Sequence, residues 1–299
     1  KSHLLKWVYR WMLFSFVILF CNVFLKLFGL GFPMYTMNTI AIGSKGYFYA
    51  GNEVSGVLLI ISSFLMYWYK IFNKRILFFL IAFLSIITGL YITSKTAILG
   101  TIFTFLYFYL FVVKNKKRSI KDSIFTLITF FVFMPFLIFF IVEYLKKSDL
   151  ITRLSFFWNQ LDIYTFIFSN RNNFLFDFFQ IFKNKYNIVE MIIGVGQTTF
   201  EDLNNNQSIE LDFFDIYFAY GFVGIILFLM YTSFILIKSK IQSRNNNIFI
   251  FANYTKYLAT IIIIISFLSG HIFNSGMAAI YMGCVFSLMY YKSNETKIS

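Results

Sequence analysis

ILFFLIAFLSIITGLYIT, residues 76–93, carries no charged side chain, with Lys74 and Arg75 just before it and Lys95 just after. A hydrocarbon core about 30 Å thick takes roughly 20 such residues as a helix. No water is present there to satisfy the peptide groups, so an isolated span must bond its own backbone. Working outward, seven more apolar runs share this character: 8–25, 54–70, 97–113, 123–142, 213–237, 257–273 and 277–291. The chain therefore reads as an all-α polytopic membrane helix bundle of about eight spans. The last two runs are short and call for tilt or a locally thinned bilayer.

Composition agrees. Hydrophobic residues make up 59% of the 299 and charged ones 13%, against about 25% charged in a soluble domain. Three regions follow: spans one to five over residues 1–142, a long extracytoplasmic loop over 143–212, and spans six to eight over 213–299. The 44 Phe, together with abundant Ile, Asn and Lys, look like the bias of an AT-rich genome, so a single Phe carries little meaning. Cys21 and Cys284 sit in apolar runs and behave as small hydrophobes. The first span can itself direct insertion. Because the chain begins with Lys, a preceding segment is expected.

A net charge of +13 raises the question of nucleic acid, but its placement answers otherwise. Of 26 Lys and Arg, 17 fall in alternate gaps between the runs, beginning with Lys1, Lys6 and Arg10 and ending with Lys292 and Lys297. Only Asp122 and Glu295 of the 13 acids share those gaps. The positive-inside rule then places both termini in the cytoplasm and the 143–212 loop outside. Nucleic acid is not an expected partner; the bilayer is. Cysteine substitution tests this topology: on intact cells an impermeant thiol reagent should label Asn205→Cys and spare Asn246→Cys. The opposite pattern inverts the arrangement.

The 143–212 connection is too long to be a bare linker. Its stretch RNNFLFDFFQIF (Arg171–Phe182) sets Leu175, Phe178, Phe179 and Phe182 at helical spacing, with Asp177 and Gln180 elsewhere on the wheel. Such a helix belongs in the membrane interface, either packed over the bundle or as a lid over a lipid substrate. Pro33 falls in the first outer loop, and Pro135 in the fifth span is expected to kink it.

Ionisable residues at a membrane edge are costly and so are functional candidates by default. Those on the outer side are Glu53, Lys95, Arg153, Arg171, Glu210, Asp212, Asp215 and His271. Each also has a plainer reading. Asp212 and Asp215, three apart, share a face at the start of span six, where carboxylates favour the helix dipole. Asn52 and Glu53 stand where they would cap span two. Arg171 and Lys95 can snorkel, Arg153 follows Lys146 and Lys147 as a juxtamembrane charge, and a lone His271 more often packs inside a bundle. The chain has no Walker loop, no HExxH and no Cys/His cluster, and its acids lack EF-hand spacing. No metal and no cofactor are expected. GVG (Gly194–Gly196) lacks the flanking strand and helix of a dinucleotide site and reads as a turn.

Five segments, in order, resemble the O-antigen polymerase and ligase superfamily. GYFYAGNEVSGVL (Gly46–Leu58) is similar to the G-x-F-x-x-x-N-E that opens a span, and TSKTAILG (Thr93–Gly100) to an S-R-T-A segment, with Lys95 in place of Arg. SNRNNF (Ser169–Phe174) followed by IIGVGQTTF (Ile192–Phe200) resembles its S-G-R…G-x-G loop. IELDFFDIYFAYGFVGIILF (Ile209–Phe228) resembles the segment bearing His-Asn in ligases ahead of G-x-x-G; here Glu210 and Leu211 hold those positions. SGHIFNSGMA (Ser269–Ala278) is similar to the turn before the last helix.

That resemblance implies an enzyme of the bacterial cytoplasmic membrane acting on a glycan carried by undecaprenyl diphosphate. It implies no metal, and neighbours such as a flippase or chain-length regulator. Such a transfer needs cations beside the diphosphate, a base for the acceptor hydroxyl and an apolar groove. Arg171, Arg153 and Lys95 stand for the first; Glu210, Asp212 or Asp215 for the second; His271, Asn52 and Glu53 are further candidates. Replacement of His-Asn by Glu-Leu favours a polymerase over a ligase that moves finished glycan to lipid or wall. A transporter or flippase would carry charge and broken helices near the midplane, whereas this chain gathers its charge at one face.

Overall fold

The computed structural model describes residues 2–37, 40–110, 139, 162, 165, 168–204, 208–245, 248–268, 270 and 272–292. The expected fifth span with Pro135, Arg153, His271 and the basic cluster at 114–121 lie outside the described residues. The chain forms two compact units, one of His3–Phe156 and one of Phe157–Ser299 together with Lys1–Ser2.

In the first unit, α1 (Ser2–Phe24) runs into a 3-10 turn at Leu25–Phe28. A short antiparallel hairpin, β1 (Tyr35–Met37) and β2 (Ile40–Ile42), pairs Tyr35 with Ile42. Three helices follow, α2 (Gly51–Ile71), α3 (Arg75–Ile92) and α4 (Lys95–Leu110). α2 is buried throughout Val54–Tyr69, as suits a helix apolar on every side. Its serines stay inside because their hydroxyls bond back to their own helix: Ser62 to the Leu59 carbonyl, Ser63 to that of Ile60. Ser85, Thr101 and Thr104 in α3 and α4 do the same. Small residues let the helices approach, with a Cβ at Gly89 lying 3.0 Å from the Ala97 carbonyl oxygen. Tyr9 ties α1 to α2, stacking on Trp68 at 4.8 Å and sharing a 2.8 Å hydrogen bond with the Tyr69 hydroxyl.

The second unit contains three short helices, α5 (Arg171–Lys185), α6 (Ile188–Ile193) and α7 (Gln197–Leu203), then α8 (Asp212–Ser243), α9 (Ala252–Leu268) and α10 (Gly276–Ser287). Beyond Gly221, α8 buries only Ile225, Phe228, Thr232, Ile235 and Ser239, a stripe spaced by three and four residues. Side chains around that stripe, including Phe222, Ile226, Leu227, Met230 and Phe234, are apolar and exposed. An apolar, exposed surface of this kind suits a helix that faces hydrocarbon. The 222–243 portion is about 33 Å long at 1.5 Å per residue, enough to cross.

Among the described residues, four helices are long and apolar enough to span, with α4, α9 and α10 shorter. The protein is an all-α integral membrane helix bundle. Seven of the eight expected runs overlap these helices, with ends that differ by up to six residues.

Candidate functional site

Ile209–Asp215 leads into α8 in the second unit. Leu211 is the extended residue ahead of α8, and its carbonyl accepts from the amides of Phe214 and Asp215 at 2.9 Å. Asp212 and Asp215 are both fully buried. Asp215 reaches back so that Oδ1 accepts the Ile209 N–H at 2.9 Å. Asp212 Oδ2 accepts two amides from the turn between α9 and α10, Ile272 at 3.0 Å and Phe273 at 3.1 Å. Their carboxylates therefore join backbone to backbone, more than the simple helix-start capping that their spacing allowed.

Between those two anchors stands Glu210, a non-glycine residue at φ 63°. A left-handed conformation costs such a residue on the order of 1–2 kcal/mol. The turn beyond α9 holds it there: a Cβ at Gly270 would meet the Glu210 carbonyl and the Leu211 nitrogen, so only glycine permits this approach. Glu210 also differs from the two aspartates in exposure, with 39% of its side chain accessible. One carboxylate oxygen, Oε2, accepts from Arg171 Nη2 at 2.6 Å and from Arg171 Nε at 3.2 Å.

Arg171 opens α5 after two residues of positive φ, Ser169 and Asn170. Its side chain is only 10% exposed. The helix behind it is pinned by aromatic packing. Phe178 lies 4.9 Å from Phe200 and 4.8 Å from Phe218, and Phe182 and Tyr186 close the cluster. Burial, with the Glu190 charge adding to it, pushes the Tyr186 phenol up to about 12, so it stays protonated and donates to the Phe218 carbonyl at 3.1 Å. The Phe178–Phe182 face thus packs within this unit, while Phe174, Phe176 and Phe179 are exposed.

The two glycine motifs interlock. α8 breaks at Gly221 (φ 64°, ψ −162°), which frees the Ala219 carbonyl to accept the Gly196 N–H at 2.7 Å. Gly194 and Gly196 occupy the same glycine-only region of backbone space. A Cβ at Gly194 would meet Ala219 and Tyr220, and one at Gly221 would meet Ile192 and Gly194. Gly221→Ala is therefore expected to cost about 1–3 kcal/mol from backbone conformation alone, with added strain where it displaces Ile192. Gly283→Ala, which meets nothing within 4 Å, is the control. Thermal unfolding in detergent checks the pair, and equal midpoints would dismiss the interlock as a stabilising contact.

Of the residues singled out in the sequence, the structure joins Arg171 to Glu210 and sets Asp212 and Asp215 just behind them. Lys95 heads α4, and Asn52 and Glu53 lie in the first turn of α2, all in the first unit. Sequence reading missed the Arg171–Glu210 pair and the docking of GVG on Gly221. Both glycine motifs were legible; their meeting was not. It also passed over a capping box, Asn187 with Glu190, that starts α6. Among the described residues no three His, Cys, Asp or Glu side chains group as metal ligands.

Fold and site together define a polytopic membrane protein whose ionisable centre is built from short helices at the head of a spanning helix. Residues 157–294, a little under half the chain, match the family model described as O-antigen ligase like membrane protein. Over that segment the resemblance to the O-antigen ligase and polymerase superfamily is shown. No curated protein and no solved structure matches the chain.

Proposed function

We propose that the protein is a membrane glycosyltransferase that polymerises undecaprenyl-diphosphate-linked oligosaccharide repeat units into a cell-surface polysaccharide, at the outer face of the bacterial cytoplasmic membrane. One observation carries this reading. The family-like stretches of the second unit meet at one locus, 209–228, which 169–174 reaches through the Arg171–Glu210 pair, 192–200 through the glycine interlock, and 269–278 through the turn that Asp212 grips.

Within that locus Glu210 takes the proton of the acceptor hydroxyl. The hydroxyl oxygen bonds to the anomeric carbon of the donor sugar, and the bond from that carbon to the diphosphate oxygen breaks. Undecaprenyl diphosphate departs with the electron pair, and Arg171 stabilises its charge through a planar fork of donors. Asp212 and Asp215, whose accepting oxygens face backbone amides, shape the Glu210 loop.

Purified protein given the lipid-linked repeat unit should release undecaprenyl diphosphate and produce a ladder of lengthening chains. A single transfer of finished glycan to a lipid or wall acceptor would make it a ligase. Movement of the lipid across a vesicle without a new glycosidic bond would make it a flippase.

A further inference from the structure

The Arg171–Glu210 pair is lopsided. The cation is enclosed, 10% exposed, and fixed at the start of a helix whose other turns are locked among aromatic rings. The anion is 39% exposed and sits on a loop residue. The contact itself uses one carboxylate oxygen for two N–H donors, at 2.6 and 3.2 Å, rather than two oxygens matched to two donors. Among the described residues no other partner bonds the rest of the guanidinium. A cation that cannot leave, an anion that can, and unused donors describe a seat held by a temporary occupant.

We propose that Glu210 is the resident anion of a phosphate seat on Arg171, displaced when a diphosphate group arrives. The inference rests on the functional reading above and deepens it. A phosphate presents two oxygens to the guanidinium fork and a larger negative charge, so it outcompetes a carboxylate bound through one oxygen. The displaced Glu210 carboxylate turns to the accessible side, where desolvation does not oppose it, and a half-exposed ion pair is a weak restraint. Before the donor binds, the lone pairs of Oε2 are engaged by Arg171. Afterwards they are free to accept a proton from the incoming hydroxyl. Oε2 is thereby released by the substrate whose leaving group needs the cation.

Competition gives this a signature that catalysis alone does not have. Glu210→Gln removes the competing charge yet keeps a carbonyl oxygen to hold Arg171 in position. Binding of a short-chain prenyl diphosphate to the detergent-solubilised full chain, read by calorimetry, should tighten about tenfold or more in Glu210→Gln. Turnover should fall at the same time. Arg171→Ala should abolish that binding, and the double variant should behave as Arg171→Ala does. Loss of binding in Arg171→Ala with unchanged or weaker binding in Glu210→Gln overturns the exchange and leaves the functional reading standing. Equal prenyl diphosphate affinity in the native protein and Arg171→Ala, or no binding in either the native protein or Glu210→Gln, overturns both. Solubilised material with unaltered thermal midpoints guards against a misfolded variant being taken for a lost site.

Discussion

Glu210→Gln is expected to lower the rate of chain extension by on the order of 10²–10⁴-fold, the usual worth of a positioned general base. The substitution keeps side-chain shape and leaves an oxygen that can still accept from Arg171, so the loop should hold its conformation. What it removes is the ability to take a proton from the acceptor hydroxyl. In a reconstituted assay the donor should still bind while product formation stalls. The buried aspartates supply the comparison. Asn at 212 or 215 retains an oxygen able to accept the amides of Ile272 and Phe273 or of Ile209, so Asp212→Asn and Asp215→Asn should lose less. Near-normal turnover in Glu210→Gln with a dead Asp212→Asn or Asp215→Asn would hand the role to the aspartate.

Arg171→Ala is expected to abolish polymer altogether, and Arg171→Lys to impair it severely. Lysine keeps the charge but presents a point where the guanidinium presents a fork. Neither change should unfold the protein. Glu210, no longer bound to Arg171, is exposed enough to be solvated, and Phe178, Phe182, Phe200 and Phe218 still secure α5. The check is polymer length on cells alongside protein level in the membrane. Normal polymer from Arg171→Ala would remove the residue from the site.

The spanning helices were legible because hydrocarbon imposes a rule that one sequence window can satisfy by itself. Residues 54–70 and 76–93 need no partner in the chain to be recognised as apolar and uncharged, and they appear as Gly51–Ile71 and Arg75–Ile92. The helix at Arg171–Lys185 was legible on the same ground, from the spacing of Phe178 and Phe182. Span six was legible in extent and not in shape. Gly221 reads in sequence like any glycine inside a helix, and its break exists because the Gly194–Gly196 turn presses on it from elsewhere in the chain.

Sequence alone thus determined the all-α membrane architecture, the helices it is built from and the set of ionisable residues from which a site could be chosen. By family position it set Glu210 ahead of Asp212 and Asp215, three carboxylates within six residues, without showing how their surroundings differ. Tertiary structure separated them, burying Asp212 and Asp215 against backbone amides and leaving Glu210 half exposed on Arg171. The reason lies in range. Hydrophobicity and helix periodicity are local properties of a window. Which carboxylate meets an amide 60 residues away, as Asp212 meets Ile272, and which meets a guanidinium 39 residues back, as Glu210 meets Arg171, is settled only when distant turns pack together.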